Sequence, residues 1–353
     1  MKKFFLICCF LTAFVSSQAQ EITAKYKKAF VSEAFQLNGY GQIVADFSQN
    51  PALGQARMNA NNSIDLARVI LFATGKLGEQ RQFGYMLMFD AGPNTALQEI
   101  YGEWLPCDAV NLRFGQSKTP FTIENPMSAS RMETIFPSRS VSAMAGSSGD
   151  FNQYAGTGGV KAGRDAGLAL YGKAFAKDDF FLLEYSAGLY NGTGLNTKDE
   201  NNHKDFIGTA YFQPIKGLKI GGSIYAGKLN TDSIGVLPAG NHNRDAFAVG
   251  GVFDGKHFYA RSEYIANSTG NIDRQGIYAS AVWKIIPSKW EILGKCDFYD
   301  SDRSISQNEI TDYTFGINYY LAYLTKIQLN YIYSDNKLQG VNHSVAVQLQ
   351  VFF

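Results

Sequence analysis

Along much of the chain, apolar and polar residues alternate with a period of two. The last thirteen residues show it most cleanly. Over 341–353 the odd positions Val345, Val347, Leu349, Val351 and Phe353 are apolar, whereas Asn342, Ser344, Gln348 and Gln350 are polar. A strict period of two predicts a β-strand with one apolar face and one wetted face. The same division recurs upstream. Ile327, Leu329, Tyr331 and Tyr333 oppose Lys326, Gln328 and Asn330; Ile277, Ala279, Ala281, Trp283 and Ile285 oppose Arg274, Tyr278, Ser280 and Lys284; Val110, Leu112 and Phe114 oppose Asn111, Arg113 and Ser117. Sixteen such segments can be placed, near 37–48, 63–76, 81–90, 96–105, 109–117, 165–175, 179–190, 204–213, 217–228, 244–254, 256–266, 274–286, 289–300, 309–320, 323–334 and 342–353.

The spaces between these segments alternate in length. Tight connections at 78–80, 106–108, 214–216 and 287–288 take turns with longer polar ones. An even number of strands joined in this way is the signature of an up-and-down barrel, with turns at one rim and loops at the other. The chain is therefore expected to form an all-β, 16-stranded antiparallel transmembrane β-barrel, with both termini at the turn rim. One connection, 118–164, is far longer than a compact domain requires, and loops of that length usually carry function. A barrel of sixteen strands is too wide for wall side chains to fill. This third loop is expected to fold inward and form the constriction.

The N-terminus changes the picture of where this barrel resides. Lys2 and Lys3 precede the short apolar run 4–15, then Ser16, Ser17, Gln18 and Ala19. This is the pattern of a secretory signal peptide, with cleavage expected after Ala19. The organisation is then a signal peptide at 1–19, a periplasmic segment at 20–36 and the barrel at 37–353, placed in the outer membrane of a Gram-negative type of cell and in contact with its lipids. Composition agrees, because 20 Tyr, 26 Phe and 35 Gly stand against 9 Pro, as a wall with aromatic girdles requires. Loss of Lys2 and Lys3 leaves a nearly neutral mature chain, which gives no footprint for nucleic acid. Cys107 and Cys296 are expected on different parts of the wall, without a disulfide framework.

No cofactor, metal or catalytic centre is expected. His203, His242, His257 and His343 are scattered without metal-ligand spacing, and Gly146, Ser147, Ser148 and Gly149 do not make a nucleophile elbow. Asp297, Asp300 and Asp302 lack the spacing and closing Glu of a calcium loop and are read as a solvated tip.

The segment 101–125, YGEWLPCDAVNLRFGQSKTPFTIEN, resembles the core of the phosphate-selective porin O and P family. The segments 164–173 (RDAGLALYGK) and 185–195 (YSAGLYNGTGL) and the terminal Phe353 extend the resemblance over the mature chain. It implies a homotrimer of sixteen-stranded barrels, each passing small hydrophilic solutes and inorganic ions, with phosphate selectivity associated with basic side chains on the inward loop and arginines along the lumen. The candidates for that path are Arg68, Arg113, Lys118, Arg131, Arg139 and Arg164, with Lys161 also on the loop. Glu124, Glu133 and Asp150 oppose them, and the wall interleaves both signs. Interleaved charges cancel beyond about 8 to 10 Å, so a mild anion or phosphate preference rather than strict phosphate specificity is expected. Arg113 has a second reading, as the partner of Glu99 or Glu103 on the neighbouring strand. For the whole molecule the competing reading is a surface-binding protein or adhesin, which needs several enlarged outer loops.

Overall fold

The computed structural model describes residues 34–49, 62–78, 82–93, 95–146, 163–199, 201–231 and 238–353. The signal peptide, most of the periplasmic segment, Asp150 and Lys161 lie outside the described residues.

Sixteen strands form one closed antiparallel sheet. They are β1 (Gln36–Ser48), β2 (Ser63–Leu77), β3 (Phe83–Asp90), β4 (Ala96–Cys107), β5 (Val110–Lys118), β6 (Arg164–Lys177), β7 (Phe180–Tyr190), β8 (Asp205–Ile215), β9 (Leu218–Thr231), β10 (Gly240–Asp254), β11 (Phe258–Thr269), β12 (Ile272–Ile286), β13 (Trp290–Asp300), β14 (Glu309–Ala322), β15 (Thr325–Asn336) and β16 (Gly340–Phe352). Each strand pairs with its sequence neighbours, and β1 closes on β16 with Ile43 opposite Leu349 and Phe47 opposite Val345. At the seam, Gly39 N donates to Phe353 O at 2.7 Å and Phe353 N to Gly39 O at 2.9 Å. Closure leaves no strand edge unpaired, which is what allows a sheet to cross a bilayer.

The alternation sorts side chains as the sequence pattern requires. Phe114, Ile224, Ile277, Ile292 and Phe315 are exposed on the outside, and Arg261, Tyr278, Lys295, Asp312 and Gln328 are buried on the inside. So many large apolar groups facing outward would be a liability in water and form the contact surface in lipid.

The strands are longer than the periodicity alone marks. β10 begins at Gly240, and β11 and β12 run on until Thr269 pairs with Ile272. Only two residues then remain in that outer connection, because Gly270 adopts φ +61°, a conformation that suits glycine in a two-residue hairpin turn. The last outer loop, 337–339, is only one residue longer. Among the described outer connections these two are thus short, which does not favour a surface-binding protein built on enlarged outer loops. Cys107 and Cys296 are free thiols on β4 and β13. Asp297 departs from its expected place at a loop tip. It is fully buried in the lumen, while Asp300 and Asp302 shape the outer turn by accepting from Asp302 N and Ser304 N.

Candidate functional site

The third loop leaves β5 and turns into the lumen. Its described part carries a short 3-10 turn at Ala129–Arg131 and a helix, α1, at Arg139–Ala145. Gly146, in the left-handed region at φ 75°, ends α1 by donating to Ser142 O at 3.1 Å. The Ser138 side chain does not cap α1. It donates to Glu124 Oε2 at 2.8 Å, and the first helical N–H donates instead to Asp297 of β13, which also accepts from Ser140 Oγ at 2.9 Å.

Inward side chains of half the barrel bind this loop. Arg261 of β11 reaches Glu124 at 2.9 Å and Glu133 at 2.6 Å. Lys326 donates to Met132 O at 2.6 Å, Asn318 and Gln328 to Glu133 O at 2.9 Å each, Lys295 to Phe136 O at 3.0 Å and Gln350 to Ser130 O at 3.0 Å. Asn330 Oδ1 accepts from Ile135 N at 2.8 Å, and Glu263 accepts from Ile123 N at 2.9 and 3.0 Å. The loop carbonyls and amides that burial would orphan are thereby satisfied. Apolar contacts add to this. Phe121 meets Tyr225 edge to face with centroids 5.8 Å apart, Ile135 and Phe136 pack with Val44, Ile332 and Ala346, and Val141, Ala143, Met144 and Ala145 of α1 are buried. Glu133 lies in the loop, outside the spanning strands. Burial raises its pKa, but the Arg261 guanidinium and the Ser280 hydroxyl outweigh that and hold the carboxyl below the usual glutamate range.

These bonds fasten the loop to β9 and to β11–β16 with β1. The wall from β2 to β8 faces it across the lumen, and most of the candidate cations stand on that wall. Arg113 pairs with Glu103 at 2.8 Å, its register partner on β4, so the pairing reading holds. Its guanidinium lies 4.4 Å from the Tyr101 ring centroid and 5.0 Å from that of Tyr171, whose hydroxyl also bonds Glu103. The Arg113 side chain remains 31% exposed and Glu103 only 16%. Below them Glu184 is shared by Lys173 at 3.2 Å and Lys219 at 2.7 Å. Nearer the outer rim, Arg164 pairs with Glu99 at 3.1 Å. Lys118 donates to Asn125 O at 2.9 Å and to Met127 O, with Arg164, Glu99, Arg68 and Glu124 as its electrostatic neighbours.

The other two candidates are elsewhere. Arg139 is buried and bonds Asp312 of β14 through Nε at 2.8 Å and Nη2 at 3.2 Å, so it ties the loop down and does not stand free in an anion path. Arg131 is exposed and donates to Tyr323 OH at 3.2 Å, at the β14–β15 turn. The six cations therefore do not converge into one ring. Arg68, Lys118 and Arg164 gather, Arg113 stands apart in a tyrosine clamp, and Arg139 and Arg131 belong to the loop anchorage. Residues outside the candidate set also matter, namely Tyr101, Tyr171, Lys173, Glu184 and Lys219, and Arg261 as the hub of the loop. Their inward phase is legible in the alternation, but their neighbours across strands are not.

A closed sixteen-strand barrel with an apolar outer wall, a charged lumen and a loop packed inside it is an outer-membrane channel. The chain belongs to the phosphate-selective porin O and P family, whose model matches residues 37–353. No curated protein sequence matches it. Among solved structures it is similar to an anion-selective porin of Comamonas acidovorans (14% identity, TM-score 0.62, covering 91% of this chain and 99% of that one). It is also similar to the outer-membrane channel DcaP of Acinetobacter baumannii (10%, 0.62, 92% and 99%) and to OmpT of Vibrio cholerae in its trimer form (10%, 0.61, 90% and 99%). At these identities the likeness is one of fold.

Proposed function

We propose that this outer-membrane porin passes small hydrophilic solutes and inorganic ions by hydrated diffusion, with a mild preference for anions and no catalytic step. The path runs between the docked loop and the wall from β2 to the start of β9. The observation that carries the preference is the unequal exposure of the charges there. Arg113 is more exposed than Glu103, and Lys173 and Lys219, at 55% and 37%, are more exposed than the Glu184 they share, at 27%. A solute in the lumen water meets the cations first, and a fixed charge concentrates its counter-ion. Each cation nonetheless has a carboxylate beside it, which argues against tight phosphate capture. The related solved porins, one described as anion-selective and one as a trimer form, support the same preference and a homotrimer, and the Lys2–Ala19 sequence pattern supports processing after Ala19.

Planar-bilayer recording of the refolded protein across a salt gradient, with phosphate titrated against chloride, tests this. A reversal potential displaced modestly towards the anion value, without phosphate block, is expected. Block at low phosphate would replace mild preference by specific binding, and absence of conductance would sink the channel reading.

A further inference from the structure

Four arginines are buried among the described residues: Arg139, Arg244, Arg261 and Arg274. The first three each have a carboxylate in ion-pair contact, Asp312, Asp205, and the pair Glu124 and Glu133. Arg274 is the exception. It is 3% exposed on the inner face of β12, with no described carboxylate within the 4.0 Å of an ion pair. Its Nη1 donates to Asn267 Oδ1 at 3.1 Å and the Tyr299 hydroxyl lies nearby, while Nε has no partner.

Asn267 is the register partner of Arg274 on β11 and is equally buried. Its Oδ1 accepts from Arg274 and from Thr269 Oγ1 at 3.1 Å, which leaves the Nδ2 donor without a partner. Two facing residues on paired strands thus hold an unsatisfied guanidinium N–H and an unsatisfied amide N–H. Below them Ile265 is fully buried, and α1 lies so close to Gly276 that a Cβ there would be 2.5 Å from Ser140 Cβ and 3.2 Å from Met144 Cε.

We propose that a small monovalent anion of the halide class, chloride in the cell's surroundings, is bound between Arg274 and Asn267 as the counter-charge of this guanidinium. A guanidinium cannot discard its proton, and a buried charge without a close counter-charge is strongly unfavourable. A water would satisfy the two N–H groups but leave that charge with only the more distant carboxylates of Asp302 and Asp273 to balance it. The ion is monovalent because Asp302 and Asp273 act on Arg274 from beyond ion-pair distance and would repel a dianion such as hydrogen phosphate. This ion is a fixed part of the wall beside α1, separate from the solutes that traverse the lumen.

The test is heat unfolding of the refolded full chain in chloride and in gluconate at equal ionic strength, with Arg274→Gln and Asn267→Asp beside the wild type. Saturating chloride should raise the wild-type midpoint by about 2 °C. Asn267→Asp supplies a built-in carboxylate and should show no response to chloride while folding well, and Arg274→Gln should also lose the response. Bromide soaked into crystals in place of chloride should give an anomalous peak within hydrogen-bonding reach of Arg274 Nε and Asn267 Nδ2. A wild type indifferent to chloride, an Asn267→Asp protein that keeps the full response, or a bromide-free site would each overturn the proposal. If Arg274→Gln fails to fold, Asn267→Asp and the bromide peak decide.

Discussion

Arginines that look alike in the sequence have opposite consequences once placed. Arg113 borders the open lumen with part of its guanidinium in water, so its charge is felt by passing ions. Arg113→Gln is expected to shift the reversal potential towards the cation value, with the barrel's heat resistance little changed, because the Tyr101 and Tyr171 rings still pack in place. Arg139 is held by Asp312 with both side chains buried. Arg139→Ala strands a carboxylate in the interior, and breaking a buried pair in this way costs about 3 to 5 kcal/mol. Its effect should appear as a lowered unfolding midpoint and unsteady single-channel current, with ion preference nearly unaltered. Asp312→Ala introduced with Arg139→Ala should recover part of that loss. The roles of the two arginines were not legible in the sequence, because the partner that decides each is remote or ambiguous there. Asp312 lies 173 positions beyond Arg139, whereas Glu103 and Glu99 were both open to Arg113 until the register chose Glu103.

The strands were legible one at a time, since a half-lipid, half-water environment imposes its period on every strand regardless of the neighbours. The loop was legible only through its length. Its inward route depends on polar residues such as Asn318, Gln328, Asn330 and Gln350, which in one strand read as an ordinary wet face and become a docking surface only when β14, β15 and β16 stand side by side. That surface makes the loop sensitive to acid in a defined direction. The Glu133 carboxyl is held below its ordinary range, chiefly by Arg261 acting against the burial that would raise it. A depressed folded pKa gives stabilisation that is complete above the unfolded value, about 4.3 for glutamate, and is lost as pH falls through the folded value. Single-channel current should therefore stay quiet from neutrality down to about pH 4.5 and become noisy only in stronger acid. Arg261→Met should be noisy at neutral pH, since Glu124 and Glu133 lose their shared cation. A steady current in that variant would show that the carbonyl bonds alone hold the loop. Packing gives a second handle on the same element. Gly276→Val places methyl groups where Ser140 and Met144 of α1 now stand, and should push the helix off the wall and lower the unfolding midpoint.

At the scale of the molecule, the barrel and the loop answer different physical demands. Closure between β1 and β16 satisfies the backbone in lipid and leaves a bore that no wall side chain spans. The loop occupies that space with its own core of Phe121, Val141, Met144 and neighbours. If this filling sets the aperture, replacing 121–145 with a short Gly-Ser linker should leave a barrel that still folds, because the strand pairing does not pass through the loop. Its conductance should then rise several-fold. The uncovered wall would present Arg261, Lys295 and Lys326 together with Glu263, Asp297 and Asp312, signs that alternate around the barrel. The widened pore should therefore also lose most of its ion preference, since opposite charges a few ångströms apart cancel within a Debye length. Conductance equal to that of the intact protein would place the constriction elsewhere in the lumen. A large rise with the anion preference intact would locate selectivity entirely on Arg113 of β5, Lys173 of β6 and Lys219 at the start of β9.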